Sequence, residues 1–197
     1  MDNEQRDEVN DALQSIRLVR YYAKEWNIEP NKIGIMGFSA GGELAAPVAV
    51  LFENFDKMNS APGDPLAGIT SRPDSVTLVY PGATPFSRNR TPPPIPRNVP
   101  PSFVVTAGSG DQGHAISSMS YFSAMVPNIE MHIYGNSRHA GGLSDRADIP
   151  FGTWQQRYID WFRDLGFLQK PGVETKASRD IATFLTQPAQ PASRTVR

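Results

Sequence analysis

At 197 residues, with 39% of them hydrophobic, the chain is long enough for one domain with a core of its own. Its 19 basic and 20 acidic residues leave a formal net charge of -1, so neither a nucleic-acid nor a membrane partner is expected. The absence of cysteine excludes a disulfide framework, a thiolate nucleophile and a sulfur-ligated zinc site, and the histidines are three: His114, His132 and His139.

The first ten residues carry five charges and no apolar run, which does not read as a secretory signal; a cytoplasmic location is the default expectation. Val9, Ala12, Leu13, Ile16, Val19, Ala23 and Trp26 then recur at helical spacing. Acids lie at the start of this stretch, and Arg17, Arg20 and Lys24 come later, as the helix dipole favours. Asn27 and Pro30 end that helix, and Lys32 to Met36 reads as a buried strand bounded by Gly37. A second helix is predicted from Ala40 to Phe52, kinked or ended early at Pro47, which cannot donate to the Glu43 carbonyl.

Residues 53–73 lack periodicity and read as a loop before a second strand, Ser75 to Tyr80. Eight of the 18 prolines fall between Pro81 and Pro101, a segment suited to a polyproline excursion over the surface. A strand from Ser102 to Thr106, a helix from Ala115 to Met125, a strand from Ile129 to Tyr134 and a helix from Thr153 to Leu165 complete the order. Alternating strands and helices predict an α/β fold, with a mostly parallel sheet of about four strands covered by helices on both faces. Residues 1–169 form the expected core, and 170–197 a polar tail expected to be mobile or weakly docked.

Gly37-Phe38-Ser39-Ala40-Gly41 is a G-x-S-x-G sequence placed between a predicted strand and a predicted helix. A strand that turns straight into a helix through a strained serine leaves little room for side chains, so Gly37 and Gly41 are expected to be required by space. The Ser39 hydroxyl would then project above the sheet, where the Ala40 N–H can donate to a developing oxyanion. The plainer alternative is a glycine-rich turn whose serine caps a helix.

A serine needs a base. His139 follows the last strand in a loop that can lean over the strand ends, whereas His132 alternates with apolar residues inside that strand and His114 opens a helix, where it reads as a cap or a solvated side chain. On that reading a His114→Ala variant is silent. Asp111, beyond the third strand, completes the order Ser39, Asp111, His139 as the acid that orients the base. Its plainer alternative is a helix-start aspartate. Asp145 and Asp148 come after the histidine, and Asp74 precedes its strand.

The run from Lys32 to Ala45 resembles the nucleophile segment of bacterial acetyl-xylan-esterase-like carbohydrate esterases of the α/β-hydrolase superfamily. The segment Pro100 to Val105 with Asp111, and the segment Tyr134 to Leu143 with His139, resemble their acid and histidine segments. The resemblance covers nearly all of residues 9–168. It implies a partial α/β-hydrolase fold and hydrolysis of short acyl esters, often acetyl groups on sugars or xylan, without metal or cofactor. Family members carry four further strands and a His-Gly-Gly-type oxyanion loop before the helix that begins this chain, so the strand at Lys32 to Met36 is expected at a sheet edge, open to a homodimer. Two other functions stay open beside the esterase: a truncated hydrolase serving as an interaction module, and a serine peptidase.

Overall fold

The computed structural model describes residues 3–88, 91–125, 129–135, 137–141 and 150–169, together with 175, 176 and 179. Residues up to Tyr158 form one compact unit and those from Ile159 a second. The expected tail from residue 170 lies almost entirely outside the described residues, as do Asp145 and Asp148.

Helix α1 (Asn3–Tyr21) leads into β1 (Gly34–Phe38), α2 (Ala40–Met58), β2 (Ser75–Val79) and the short α3 (Pro85–Arg88). After these come β3 (Ser102–Ala107), α4 (Gln112–Met125), β4 (Ile129–Tyr134) and, behind a 3₁₀ turn at Pro150–Thr153, α5 (Trp154–Asp164). The four strands pair in parallel in the order β1-β2-β3-β4. This is the predicted sheet, with β1 at an edge.

The strand sequences explain their places. β2 and β3 are buried at every position and consist of Val, Leu, Phe, Ser, Thr and Ala, the near-continuous apolar runs of a parallel sheet covered on both faces. One core gathers Ala45, Ala46, Ala49 and Val50 of α2 with Val76, Leu78 and Val104 of the sheet and Tyr121 and Met125 of α4. A second packs Val9, Leu13 and Ile16 of α1 against Val48, Phe52 and Phe55 of α2. The apolar stripe of α1 therefore packs against α2, but the helix ends at Tyr21, short of the predicted Trp26, which is exposed.

Two expectations need correction. α2 neither stops at Pro47 nor ends at Phe52; it runs unbroken to Met58. An interior proline costs roughly 3 kcal/mol. Burying Val48, Ala49, Val50, Phe52 and Phe55 in the turns beyond it outweighs that, since each large apolar side chain contributes roughly 1.5–3 kcal/mol. Arg17 is likewise no surface complement to a dipole: it is 1% exposed. Its guanidinium donates to the carbonyls of Asn59, Leu66 and Ile69 and lies over the Phe55 ring. These bonds tie down the aperiodic segment after α2. Arg20 extends the same anchorage through its 2.9 Å bond to Asp74.

Candidate functional site

Ser39 sits between β1 and α2 with φ 53° and ψ −117°, a conformation that residues other than glycine rarely adopt. The surroundings hold it there. Its N–H donates to Val79 O at 3.0 Å, and its carbonyl accepts from Gly42 and Glu43 as α2 begins. The spatial requirement falls on Gly37 and Gly42. A Cβ on Gly37 would come within 1.9 Å of Gly41 O, and one on Gly42 within 2.9 Å of Pro81. A Cβ on Gly41 would meet nothing within 4 Å, so the expectation that Gly41 must be glycine for space does not hold. Gly41 contributes its backbone to the crowding, and Gly42 is the glycine that the sequence reading missed. Ala40 is the first residue of α2 and is exposed, and its N–H has no acceptor within the helix.

The acid and histidine loops are stitched to each other beyond the ends of β3 and β4. Gly108, Ser109 and Gly110 donate from their N–H groups to the carbonyls of Tyr134, Gly135 and Ser137 at 2.8, 3.1 and 3.1 Å. Gly110 is required by this approach, because a Cβ there would lie 2.4 Å from Ser137 O. The stitching delivers Asp111 and His139 side by side.

The structure brings together Ser39, His139 and Asp111. His139 Nε2 lies 2.8 Å from Ser39 Oγ, and His139 Nδ1 lies 2.8 Å from Asp111 Oδ2. A carboxylate only accepts, so the His139 Nδ1–H donates to Asp111 and Nε2 is left to accept from the serine hydroxyl. Asp111 directly precedes α4, where the helix dipole favours its negative charge, and its side chain is only 9% exposed.

His132 is not brought to this cluster. It is half-buried on β4, bonded to Glu130 Oε1 at 2.7 Å and packed near the Phe103 ring. His114 was expected as a cap or a solvated side chain, and this is corrected. Its Nδ1 lies 2.5 Å from Asp111 Oδ1, and its ring stacks on that of His139 with centroids 4.2 Å apart. A spacing of three residues at a helix start was the available signal, since it sets His114 one turn from Asp111.

Tyr80, one residue beyond β2, was also missed. It carries φ 38° and sets its ring edge-on to His139 at 4.9 Å, in contact with the rings of Phe38 and Phe151. Phe151 is fully buried and Tyr80 is 2% exposed, so this wall keeps water from one side of the imidazole; burial raises the Tyr80 hydroxyl above its ordinary pKa.

Asp111, His114 and His139 offer ligand atoms within 4.8 Å of one another, the one such group among the described residues. Their 2.5 and 2.8 Å separations are those of hydrogen bonds. Donors around a tetrahedral zinc at about 2.0–2.1 Å would stand roughly 3.3 Å apart. The group as it stands is therefore a proton-sharing array. Among the described residues, no helix is long and apolar enough to cross a membrane.

A family model described as BD-FAE matches residues 2–69. An acetylxylan esterase of Xylanibacter ruminicola is 54% identical over 43 residues, 22% of this chain and 9% of that protein. Endo-1,4-beta-xylanase B of Butyrivibrio fibrisolvens is 37% identical over 76 residues, 39% of this chain and 11% of that protein. Among solved structures, the acetyl ester-xyloside bifunctional hydrolase of Caldicellulosiruptor lactoaceticus superposes with a TM-score of 0.68 at 29% identity, covering 81% of this chain and 66% of that one. The esterase Est2 of Thermogutta terrifontis gives 0.63 at 22% identity, covering 84% and 66%, and supports the fold alone. The chain thus spans about a tenth of the curated relatives and 66% of each of these two structures.

Proposed function

We propose that this chain, an α/β-hydrolase by fold and similar to acetylxylan esterases, hydrolyses short acyl esters through an acyl-enzyme on Ser39. The observation that carries the reading is the unbroken relay from Ser39 Oγ through both nitrogens of His139 to Asp111. Ser39 Oγ attacks the ester carbonyl while His139 Nε2 takes its proton, and Asp111 stabilises the imidazolium that results. The negative oxygen of the tetrahedral intermediate accepts from the Ala40 N–H. When the carbonyl re-forms, the C–O bond to the alcohol breaks and His139 returns the proton to the leaving alcohol. A water then repeats the sequence on the acyl-serine: it gives a proton to His139, and that proton returns to Ser39 as the acid departs.

Acetyl esters of carbohydrate are the proposed substrate class, because the relatives' names include an acetylxylan esterase, a xylanase and an acetyl ester-xyloside hydrolase. The test is a series of p-nitrophenyl esters from acetate to octanoate, beside release of acetate from acetylated xylan, with Ser39→Ala as control. Acetate is expected to be cleaved fastest, and Ser39→Ala to be silent. Equal turnover by Ser39→Ala would refute the nucleophile, and faster cleavage of octanoate would refute the acyl preference.

A further inference from the structure

One side chain in the cluster has no part in the acyl transfer just described. His114 bonds neither Ser39 nor the Ala40 N–H, yet it sits against both other members of the relay. Its Nδ1 is 2.5 Å from Asp111 Oδ1, while His139 uses Oδ2 of the same carboxylate. Its ring lies along the His139 ring with 30° between their planes. The Tyr80 ring also packs edge-on against the imidazole, its centroid 4.9 Å away.

Asp111 has a competing use for its carboxylate. It stands immediately before the first residue of α4, the position from which an aspartate turns its oxygens onto the free N–H groups of the first helical turn. A carboxylate that capped in this way would rotate Oδ2 away from His139. A donor on Oδ1 that is fixed to the helix itself prevents the rotation. His114 is such a donor, because its place three residues into the helix sets it one turn from Asp111, and a carboxylate between two N–H donors has its plane set from both sides.

We propose that His114 is a positioning residue: its Nδ1–H holds the Asp111 carboxylate in the orientation that presents Oδ2 to His139, and its ring limits the rotation of the His139 imidazole. The inference rests on the reading of Ser39, His139 and Asp111 as a relay. It replaces the sequence-based expectation that His114→Ala is silent. His114 touches no reacting atom, so its loss acts on the approach of the base to the serine and not on substrate binding.

Two variants test it. His114→Ala removes the donor and the ring, whereas His114→Asn keeps an N–H donor where Nδ1 stands. The His114 side chain is 29% exposed in the first turn of α4, so neither change opens a core cavity. Misplacing a catalytic group by about 1 Å can cost ~10²-fold, so His114→Ala is expected to lower kcat on p-nitrophenyl acetate by ~10- to ~100-fold with KM within about twofold. His114→Asn is expected to recover most of that loss.

Proton NMR supplies a readout independent of turnover. The low-field resonance of the His139 Nδ1–H bonded to Asp111 should persist in His114→Asn and broaden or vanish in His114→Ala. Full activity and an intact resonance in His114→Ala would overturn the proposal, as would an Asn variant no better than the Ala variant. If the wild type were no faster than Ser39→Ala, the esterase reading would fall, while the resonance would still decide whether His114 holds Asp111.

Discussion

The outer strands of the sheet face their surroundings in different ways. β4 carries a cluster of charge: Glu130 accepts from Arg157 Nε and Nη2 at 2.6 and 2.8 Å and from His132 Nε2 at 2.7 Å. β1, with the sequence Gly-Ile-Met-Gly-Phe, carries no charge, and Gly34 and Met36 are exposed along it. Charged side chains on an edge strand discourage pairing with another chain, and a bare apolar edge invites it. The edge that discourages pairing leads into the His139 loop, and the bare edge ends at Ser39. The relay therefore spans the whole sheet, with Ser39 beyond β1, Asp111 beyond β3 and His139 beyond β4. An arrangement of that width holds only because the strands between are buried at every position and the acid and histidine loops are bonded to each other.

The largest test breaks the relay at the β4 end. Removing the base of a serine relay costs ~10⁴- to ~10⁶-fold in kcat, so His139→Ala should reduce ester turnover to near the background rate while far-ultraviolet circular dichroism stays unchanged.

At the β1 end, the crowding at the elbow predicts a difference between neighbouring glycines. Gly37→Ala forces a methyl into the Gly41 backbone and should abolish activity and lower stability by ~2 kcal/mol or more, as backbone strain of this kind does. Gly41→Ala should change stability by less than ~1 kcal/mol, since its methyl meets open space and alanine favours the helix. Thermal melts of the two variants decide which glycine the elbow requires.

Smaller effects separate the two edges. We propose that β1 pairs about a two-fold axis with a second copy of the chain, so light scattering should report a dimer at micromolar protein. Met36→Lys should shift it towards monomer with ester turnover preserved within about threefold, by placing like charges at the seam. A wild-type monomer would remove this reading of the edge.

At β4, burial acts to raise the Glu130 carboxyl, but hydrogen bonds from Arg157 and His132 outweigh it and its pKa lies below the ordinary value. A carboxyl lowered on folding stabilises the protein above the unfolded pKa, near 4.3, and that contribution is lost as pH falls through the folded value. Glu130→Gln should therefore cost less than ~1 kcal/mol at pH 7, because the pair is partly solvated, and the difference should shrink as pH falls below the ordinary carboxyl range in denaturant titrations.

The order of strands and helices and the convergence of Ser39, Asp111 and His139 were legible in the sequence. A parallel sheet forces apolar runs and crossovers, and a strained elbow forces a glycine before the serine. What escaped was set by tertiary contact. α2 continues through Pro47 because both of its faces are buried, a fact that local propensity does not contain. Arg17 is typed as a surface residue until its carbonyl partners are known. Gly42 is required by Pro81, 39 residues away in sequence, and Tyr80 holds a positive φ where its ring meets those of Phe151 and His139. His114 was closest to being readable, since its spacing from Asp111 was on the page; the helix-cap role common to both residues concealed the bond between them.

The central claim is that Ser39 is a nucleophile activated across the sheet. Intact-mass spectrometry with peptide mapping, after treatment with a serine-reactive aryl phosphonate, tests it most directly. One adduct on Ser39, formed in step with loss of p-nitrophenyl acetate turnover and absent from His139→Ala over the same time, is the result the relay requires. A protein that turns over the ester while Ser39 stays unmodified, or that is modified elsewhere as its activity is lost, would contradict it.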